Sequence, residues 1–338
     1  MNKRRMQIFV EEWPLKDHFT IARSSRLSTV TVRVNIAQDN VIGRGECVPT
    51  EHYGESVYSV TEQLKTVEEA IIQGGSRQAL QQLLPPGAAR NALDCALWDL
   101  EAQLLNQRVS DLLEFDGMDN CHEPQNITTV HTISIDSPDK MADAARKLSG
   151  FSMLKIKLDR HLISERLHAI YDAAPNAKLL IDANESWDIE LLNQMIVQCH
   201  NLPIAMIEQP LPRTQNELLK DLHSPIPIGA DESFHTADDI DDIRPYFDVI
   251  NIKFDKCGGL TEAVNIFTKA KSANLKVMIG CMLGTSLSMA PATLIAQYAD
   301  FVDLDAPLLL AKDYEPSLIY QQGIIQALPR SLWGGIST

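Results

Sequence analysis

Short apolar runs alternate with longer amphipathic segments over the C-terminal two thirds of the chain. From about residue 130, apolar runs of strand length begin every roughly 20–27 residues, and the segments between them have apolar positions at helical spacing. The runs are HTISI (131–135), SMLKIKL (152–158), KLLIDAN (178–184), IAMIEQP (204–210), IPIGADE (226–232), DVINIKFD (248–255), KVMIGCM (276–282) and FVDLDAP (301–307). This period is typical of strand–helix units in a parallel sheet, so the pattern predicts an α/β domain.

Polar residues follow the apolar part of strand after strand, and their distribution separates two α/β architectures. An open sheet concentrates its functional side chains at one switch point, whereas a closed barrel brings them from many strand ends to one mouth. The strand-end polar residues are Lys157, Asp182, Glu208, Asp231, Lys253 and Asp303. We therefore predict a closed barrel of eight strands over residues 125–310.

The first 115 residues have a different pattern. IFVEEW, TVTVRVNI and VIGRGECV have the alternation of an antiparallel meander, and helical spacing follows at about 56–73 and 88–106. We predict a separate α+β domain over residues 1–115, to which the tail from about 310 to 338 is free to return.

Composition narrows the choice of partners and compartment. The 338 residues carry a formal net charge of −15, without the basic footprint expected for nucleic-acid or anionic-membrane binding. No apolar run approaches the roughly 18 residues of a membrane span, and the basic start lacks the apolar core of a signal peptide. Six scattered cysteines without a CxxC pair favour free thiols in the cytoplasm. The pattern indicates no oligomeric state.

Three acids end successive strands, each one strand–helix unit from the next: Asp182, Glu208 and Asp231. Carboxylates that converge on one mouth repel each other unless a divalent cation lies between them. Ligation by oxygen alone favours Mg²⁺ over zinc, so we predict one Mg²⁺ per subunit. The alternative, a solvated loop acid, explains any one of these residues better than it explains three in register.

Two lysines end the strands on either side of the acids. Lys157 precedes Asp182 by one unit and Lys253 follows Asp231 by one, so the lysines are predicted to flank the metal. A partly desolvated lysine near a divalent cation has its neutral form favoured and can act as a base, while the opposite lysine delivers a proton. This arrangement indicates proton transfer alpha to a carboxylate, and epimerisation if both faces work. The alternative is that the lysines only neutralise the acids. Lys256, beyond the strand, is expected to face solvent.

KIK, IDANESWD, IEQPL, GADES and NIKFDKCGG together resemble the enolase superfamily, muconate-lactonizing subgroup, over nearly the whole chain. A lysine base with Mg²⁺ is an established pattern of that superfamily. The resemblance implies a (β/α)7β barrel similar to a TIM barrel, an N-terminal capping domain, and a C-terminal return to the cap. FVDLDAP also resembles the DxD signature of dipeptide epimerases. The implied reaction converts L-Ala-D-Glu to L-Ala-L-Glu in murein peptide recycling, by two-base 1,1-proton transfer through an enediolate.

Asp303 and Asp305 lie two apart in a predicted strand, so both carboxylates are expected on one side of it, where they require a cation. The resemblance implies that this cation is the free ammonium of a dipeptide. The further substrate-binding residues that it implies are Arg23, Thr132, Lys155, Cys281 and Leu283. Arg23 would bind the glutamate side-chain carboxylate, and Arg26 is a second candidate for that role.

Other functions stay open at this point. One is a dipeptide epimerase of different side-chain specificity, and another is o-succinylbenzoate synthase or cycloisomerase chemistry on the same barrel. The latter substrates carry no ammonium, which leaves Asp303 and Asp305 without a role. A metal-binding barrel without catalysis would leave Lys157 and Lys253 unexplained. A dipeptide panel tested with Mg²⁺ separates these possibilities.

Overall fold

A computed structural model describes residues 4–114 and 123–335. The domain limit predicted at residue 115, Cys121 and the last three residues of the tail lie outside the described residues.

The N-terminal part is an antiparallel sheet covered by helices, as predicted. The strands are β1 (Arg5–Ile21), β2 (Ser24–Gln38) and β3 (Val41–Cys47), and the helices are α1 (Val57–Ile72), α2 (Arg77–Leu83), α3 (Ala88–Leu105) and α4 (Val109–Leu112). The order of the sheet is β1-β2-β3. Alternate apolar residues of β2 face the core and pack with α3. Gly45 allows the close approach of that helix, because a Cβ there would lie 2.1 Å from the carbonyl oxygen of Ala92.

The hairpin of β1 and β2 extends beyond this sheet. β3 pairs with Val32–Gln38 of β2. Among the described residues, the part of the hairpin that precedes Val32 has no third strand, although Leu15 forms a single bridge with Leu310. Pairing continues after a register shift between Pro14 and Phe19 as far as Ile21 and Ser24, with residues 22–23 at the turn. We call residues 14–31 the cap ribbon. The sequence predicted strands at IFVEEW and TVTVRVNI and none between them, so the pairing of the intervening residues is a difference from that expectation.

A second sheet contains the eight predicted parallel strands. After the short strand β4 (Ile127–Thr128) come β5 (His131–Ile133), β6 (Met153–Lys157), β7 (Lys178–Asp182), β8 (Ile204–Glu208), β9 (Ile228–Ala230), β10 (Val249–Lys253), β11 (Lys276–Gly280) and β12 (Phe301–Val302). β5–β12 neighbour one another in chain order. The Val130 N–H donates to the Val302 carbonyl at 3.0 Å, which joins the first edge to the last and closes the barrel.

Helical segments connect these strands on the outside. They are α5 (Pro138–Lys147), α6 (Ile163–Ala173), α7 (Ile189–Gln198), a 3₁₀ helix (Arg213–Leu219), a 3₁₀ turn (Ala237–Asp239) that leads into α8 (Ile240–Ile243), α9 (Phe254–Cys257), α10 (Leu260–Ser272), α11 (Ser286–Ala296) and, after β12, α12 (Ala306–Leu309). The connection after β8 was predicted as an α-helix, but Gln215 leaves helical geometry with φ −121° and ψ 15°.

The tail contacts both parts of the chain. β13 (Tyr320–Gln321) pairs with β14 (Ile324–Ile325), which pairs with β4 beside the barrel. Further on, Trp333 Nε1 donates to the Arg44 carbonyl at 2.8 Å, and the Gly334 N–H donates to Asp99 of α3 at 2.9 Å. Trp98 of α3 is part of the barrel's apolar core, so cap and barrel share buried surface. Within residues 4–114 and 123–335, no helix is long and apolar enough to cross a bilayer.

Candidate active site at the mouth of the barrel

A cavity of about 710 Å³ lies between the cap ribbon and the C-terminal ends of the barrel strands. The predicted site residues that line it are Arg23, Thr132, Lys155, Lys157, Asp231, Lys253, Cys281, Leu283, Asp303 and Asp305. Asp182 and Glu208 lie beneath this lining with no solvent-exposed surface. Residues that are far apart in the sequence therefore meet in one place, because parallel strands present their carboxyl ends to the same mouth.

The three acids end neighbouring strands. Asp182 and Glu208 are register partners at the ends of β7 and β8, and Asp231 follows β9 directly. All three are at least 99% buried. Burial and then the charge of Asp182 raise the pKa of Glu208 to about 7. Three buried carboxylates without sulfur or imidazole ligands are a donor set that suits Mg²⁺.

Lys155 lies among these acids. Its Nζ is 2.7 Å from Glu208 Oε2 and 3.0 Å from Asp182 Oδ2, and it donates to Asp303 Oδ2 at 2.7 Å. Burial alone would lower the pKa of this ammonium, but the surrounding carboxylates raise it well above its usual value. Lys155 is therefore a buried counterion that links the acids to the last strand of the barrel.

Lys157 and Lys253 lie on either side of the acids. Lys157 Nζ donates to Asp182 Oδ2 at 2.5 Å, and Lys253 Nζ donates to Asp231 Oδ2 at 2.6 Å. Their strands, β6 and β10, are separated in the sheet by the three strands that supply the acids. Burial favours the neutral form of Lys253, but Asp231 outweighs it and raises the pKa.

Asp303 and Asp305 line the same cavity, but the prediction that they are alternate residues of one strand is wrong. β12 ends at Val302, and Asp305 has φ −96° and ψ −1° at the start of α12. Lys155 already compensates Asp303, whereas Asp305 Oδ2 accepts a hydrogen bond from the Thr132 N–H at 2.6 Å. Burial and then Asp303 raise the pKa of Asp305 to about 7. Among the described residues no cation lies within ion-pair distance of Asp305, which points to this carboxylate as the one that lacks a counterion.

Two residues that were not predicted to belong to the site hold the acids in place. Asn251 Nδ2 donates to Glu208 Oε1 at 2.6 Å. Lys256 was expected to face solvent, but it is 3% exposed and donates to both the carbonyl and the Oδ1 of Asp231 at 2.6 Å. Asn251 was detectable as a polar residue two positions before Lys253 in a buried strand. Lys256 gave no such signal, because it lies in the short helix α9.

The two arginines of the cap ribbon have different surroundings. Arg23 Nη2 donates to Glu232 Oε1 at 2.7 Å, and its Nη1 donates to the Asn184 carbonyl at 3.2 Å. Glu232 was not singled out from the sequence, although it directly follows Asp231. Arg26 also lines the cavity, is exposed, and forms no ion pair with any described residue.

Two family models together match nearly the whole chain. Residues 3–114 match the N-terminal domain of mandelate racemase / muconate lactonizing enzymes, and residues 140–330 match the enolase C-terminal domain-like family. The chain belongs to this enolase-like family of mandelate racemases and muconate lactonizing enzymes.

Among curated relatives, the chain is 43% identical to L-Ala-D/L-Glu epimerase of Escherichia coli (strain K12), over 95% of this chain and 98% of that protein. It is also 40% identical to an N-acetyl-D-glutamate racemase of a Pseudoalteromonas species, over 89% of this chain and 94% of that protein. The named relatives thus include enzymes that act on free dipeptides and on an N-acylated amino acid.

Solved structures include a similar enolase family member from Agrobacterium tumefaciens with homology to dipeptide epimerases. It contains sodium and L-Ala-L-Glu with an ordered loop, and it aligns with a TM-score of 0.94 at 41% identity, over 98% of this chain and all of that one. A dipeptide epimerase from Enterococcus faecalis V583, complexed with Mg and L-Leu-L-Tyr, aligns with a TM-score of 0.88 at 29% identity, over 99% of each chain.

Proposed function

We propose that this protein is a Mg²⁺-dependent dipeptide epimerase that interconverts L-Ala-D-Glu and L-Ala-L-Glu. The observation that carries the proposal is the placement of Lys157 and Lys253 on either side of three buried acids in one cavity. The 43% identity to an epimerase of this specificity, along nearly the full chain, supports the same reaction.

In the proposed reaction the two lysines exchange one proton at the α-carbon of the C-terminal residue. One lysine in its amine form takes the proton from one face, and the other, as an ammonium, returns a proton to the opposite face. At the α-carbon one C–H bond breaks and another forms, while one lysine gains an N–H bond and the other loses one. The product therefore differs from the substrate only in configuration. Asp182 and Asp231 orient the two Nζ atoms through bonds of 2.5 Å and 2.6 Å.

Asp182, Glu208 and Asp231 would hold one Mg²⁺ in this proposal. When bound, Mg²⁺ would supply positive charge that stabilises the negative charge developing on the substrate carboxylate, and it would offset the effect of Asp231 on Lys253. Asn251 and Lys256 fix the orientation of Glu208 and Asp231 by hydrogen bonds, which is the usual role of residues behind metal ligands.

The far end of the dipeptide is proposed to lie against Asp303 and Asp305. Asp305 lacks a counterion among the described residues, so a substrate ammonium would supply the compensating charge. Thr132, Cys281 and Leu283 line the same cavity and complete the proposed contacts.

We propose Arg26 as the cation that binds the glutamate side-chain carboxylate. Arg23 was the first candidate from the sequence, but Glu232 already neutralises it at 2.7 Å. Arg26 faces the same cavity without an ion-pair partner in the described chain, which leaves its guanidinium free for a bidentate contact.

A second candidate function is racemisation of N-acetylglutamate, which the 40% identical relative performs according to its name. An N-acetyl group carries no ammonium, so the buried Asp305 would stay uncompensated in that complex. The same objection applies to o-succinylbenzoate synthase and cycloisomerase substrates. Asp305 therefore favours a free dipeptide.

Murein peptide recycling in the cytoplasm is the proposed setting of the reaction. Cys47, Cys95, Cys199, Cys257 and Cys281 are all free thiols, which supports a reducing compartment.

The test is solvent exchange on a substrate panel. The purified protein with Mg²⁺ in deuterated water is offered L-Ala-D-Glu, L-Ala-L-Glu, dipeptides with neutral C-terminal residues, and N-acetyl-D-glutamate. We expect deuterium at the glutamate α-position of both alanyl-glutamate isomers, and no exchange after EDTA treatment. Faster exchange on N-acetyl-D-glutamate would favour the second candidate, and no exchange on any compound would contradict both.

A further inference from the structure

The tip of the cap ribbon is attached to the barrel by an ion pair with a fully buried carboxylate. Glu232 has no exposed side-chain surface, whereas the Arg23 side chain is one-third exposed, and their atoms are 2.7 Å apart. Glu232 Oε1 also accepts a hydrogen bond from Asn184 Nδ2 at 3.2 Å. A buried carboxylate requires a cation, so this pair matters more than an ion pair on the surface.

The surroundings of Glu232 make it dependent on Arg23. Asp231 is its chain neighbour, and both Asp231 and Asp182 repel its charge. His52, Glu185 and Glu232 form a group whose ligand atoms lie within 4.8 Å of one another, but Arg23 Nη1 is 3.8 Å from Glu185 Oε2 as well. The guanidinium therefore already supplies the positive charge that this cluster needs.

The ribbon needs such an anchor because of its construction. Over most of its length it has two strands, and an isolated two-stranded ribbon is at best marginally stable in water. Besides Arg23, a hydrogen bond from the Ile135 N–H to the Thr20 carbonyl at 3.1 Å seats its tip, and the partly buried Phe19 packs against a small apolar cluster that includes Leu310. Within the described residues, Arg23 makes the ion pairs that join the tip to the barrel.

We propose that Arg23 and Glu232 form a latch that seats the tip of the cap ribbon on the barrel mouth, and that they act as positioning residues rather than as ligands of the substrate side chain. The latch places Arg26, three residues further along the same ribbon, over the cavity. Its effect on catalysis rests on the proposed epimerase function, but the latch itself does not.

Hydrogen exchange tests the latch without any substrate. The Ile135 amide reports seating of the tip directly, because its acceptor is Thr20. We expect Arg23→Met and Glu232→Gln each to speed exchange of Ile135 and of residues 18–28 by about tenfold. The double variant should exchange no faster than the faster single variant, because both substitutions break the same contact. Arg26→Met is the matched control and should exchange like the wild type.

Two results would overturn the latch: wild-type exchange in Arg23→Met, or equal acceleration in Arg26→Met. The exchange rates of the amides in β7 check that the barrel stays folded. Because Glu232→Gln could disturb the adjacent Asp231, Arg23→Met tests the same contact from the other side.

Kinetics then separate positioning from ligation. If the latch acts by seating the ribbon, Arg23→Met raises KM by a similar factor for L-Ala-D-Glu and for a dipeptide with a neutral C-terminal residue. An increase confined to L-Ala-D-Glu would show instead that Arg23 binds the side-chain carboxylate. If no dipeptide is turned over, the proposed function fails while the exchange result still decides the latch.

Discussion

The barrel mouth and the cap ribbon line the same cavity, but they are held in place by different numbers and kinds of contacts. At the mouth, the two lysines and the three acids lie at or directly after the ends of strands that have neighbours on both sides. Lys155, Asn251 and Lys256 hold the acids at distances of 2.6–3.0 Å. The ribbon has two strands, and its tip is seated by the contacts of Arg23 with Glu232 and the Asn184 carbonyl, by the backbone hydrogen bond to Thr20, and by the packing of Phe19. This difference assigns chemistry, which needs precise placement, to the mouth, and substrate selection, which tolerates adjustment, to the ribbon.

The largest expected effect is the loss of a mouth lysine. Lys157→Ala or Lys253→Ala should lower kcat for epimerisation by about 10³-fold or more, because general acid–base groups contribute about 10²–10⁴-fold each. Initial rates followed by polarimetry or NMR measure the loss. Lys178→Ala is the matched control, since Lys178 lies exposed at the opposite end of β7. Epimerisation close to the wild-type rate in either mouth variant would show that the lysines only neutralise the acids.

Asp305 should give the mouth a pH dependence. Because its pKa is raised to about 7, the carboxyl is protonated below that pH and loses the charge that would hold an ammonium. We expect kcat/KM for L-Ala-D-Glu to fall by up to about tenfold per pH unit below this value.

Asp305→Asn should lower kcat/KM by about 30-fold or more and remove the dependence attributed to this group. An unchanged pH profile in Asp305→Asn would show that Asp305 does not bind the substrate ammonium. N-acetyl-D-glutamate serves as the comparison substrate, because it has no ammonium to lose.

Arg26 should affect specificity rather than chemistry. Arg26→Met is expected to lower kcat/KM for L-Ala-D-Glu by about tenfold, the value of one charge-assisted contact that is partly open to solvent. The rate with a neutral C-terminal residue should stay within about twofold of the wild type. Equal losses on both substrates would mean that Arg26 does not recognise the carboxylate.

The smallest effect is expected at the stem of the ribbon. Lys16 Nζ donates to the Leu308 carbonyl at 2.9 Å, but this contact is exposed to water. Lys16→Met should change KM by less than about twofold and leave the exchange of Ile135 unchanged, because exposed contacts of this kind contribute little. Rapid exchange of the Ile135 amide in Lys16→Met would show that Lys16, and not Arg23, holds the ribbon on the barrel.

The same contrast explains how much the sequence revealed. Strand-end acids and lysines were predictable because a repeated strand–helix unit converts spacing in the chain into proximity at one mouth. The ribbon was missed because KDHFTIARSSRLS is mostly polar, and because its tip is held on the barrel by Glu232, about two hundred residues away. Lys256 was misplaced for a similar reason, since only the packing of α9 turns it towards Asp231.

Asp303 and Asp305 show a third kind of difference. The two-residue spacing predicted that both carboxylates lie on one side of a strand and require a cation together, but β12 is too short to include them. Lys155 forms an ion pair with Asp303 and none with Asp305. Which acid lacks a counterion depends on side-chain contacts across the barrel, and strand periodicity does not encode them.

The most direct test of the account follows solvent deuterium into each isomer separately, with one lysine removed at a time. If Lys157 and Lys253 face opposite sides of the α-carbon, each variant should exchange the α-proton of one isomer without epimerising it, and the two variants should act on opposite isomers. Exchange of both isomers by a single variant, or of the same isomer by both, would contradict the arrangement of one lysine on each face.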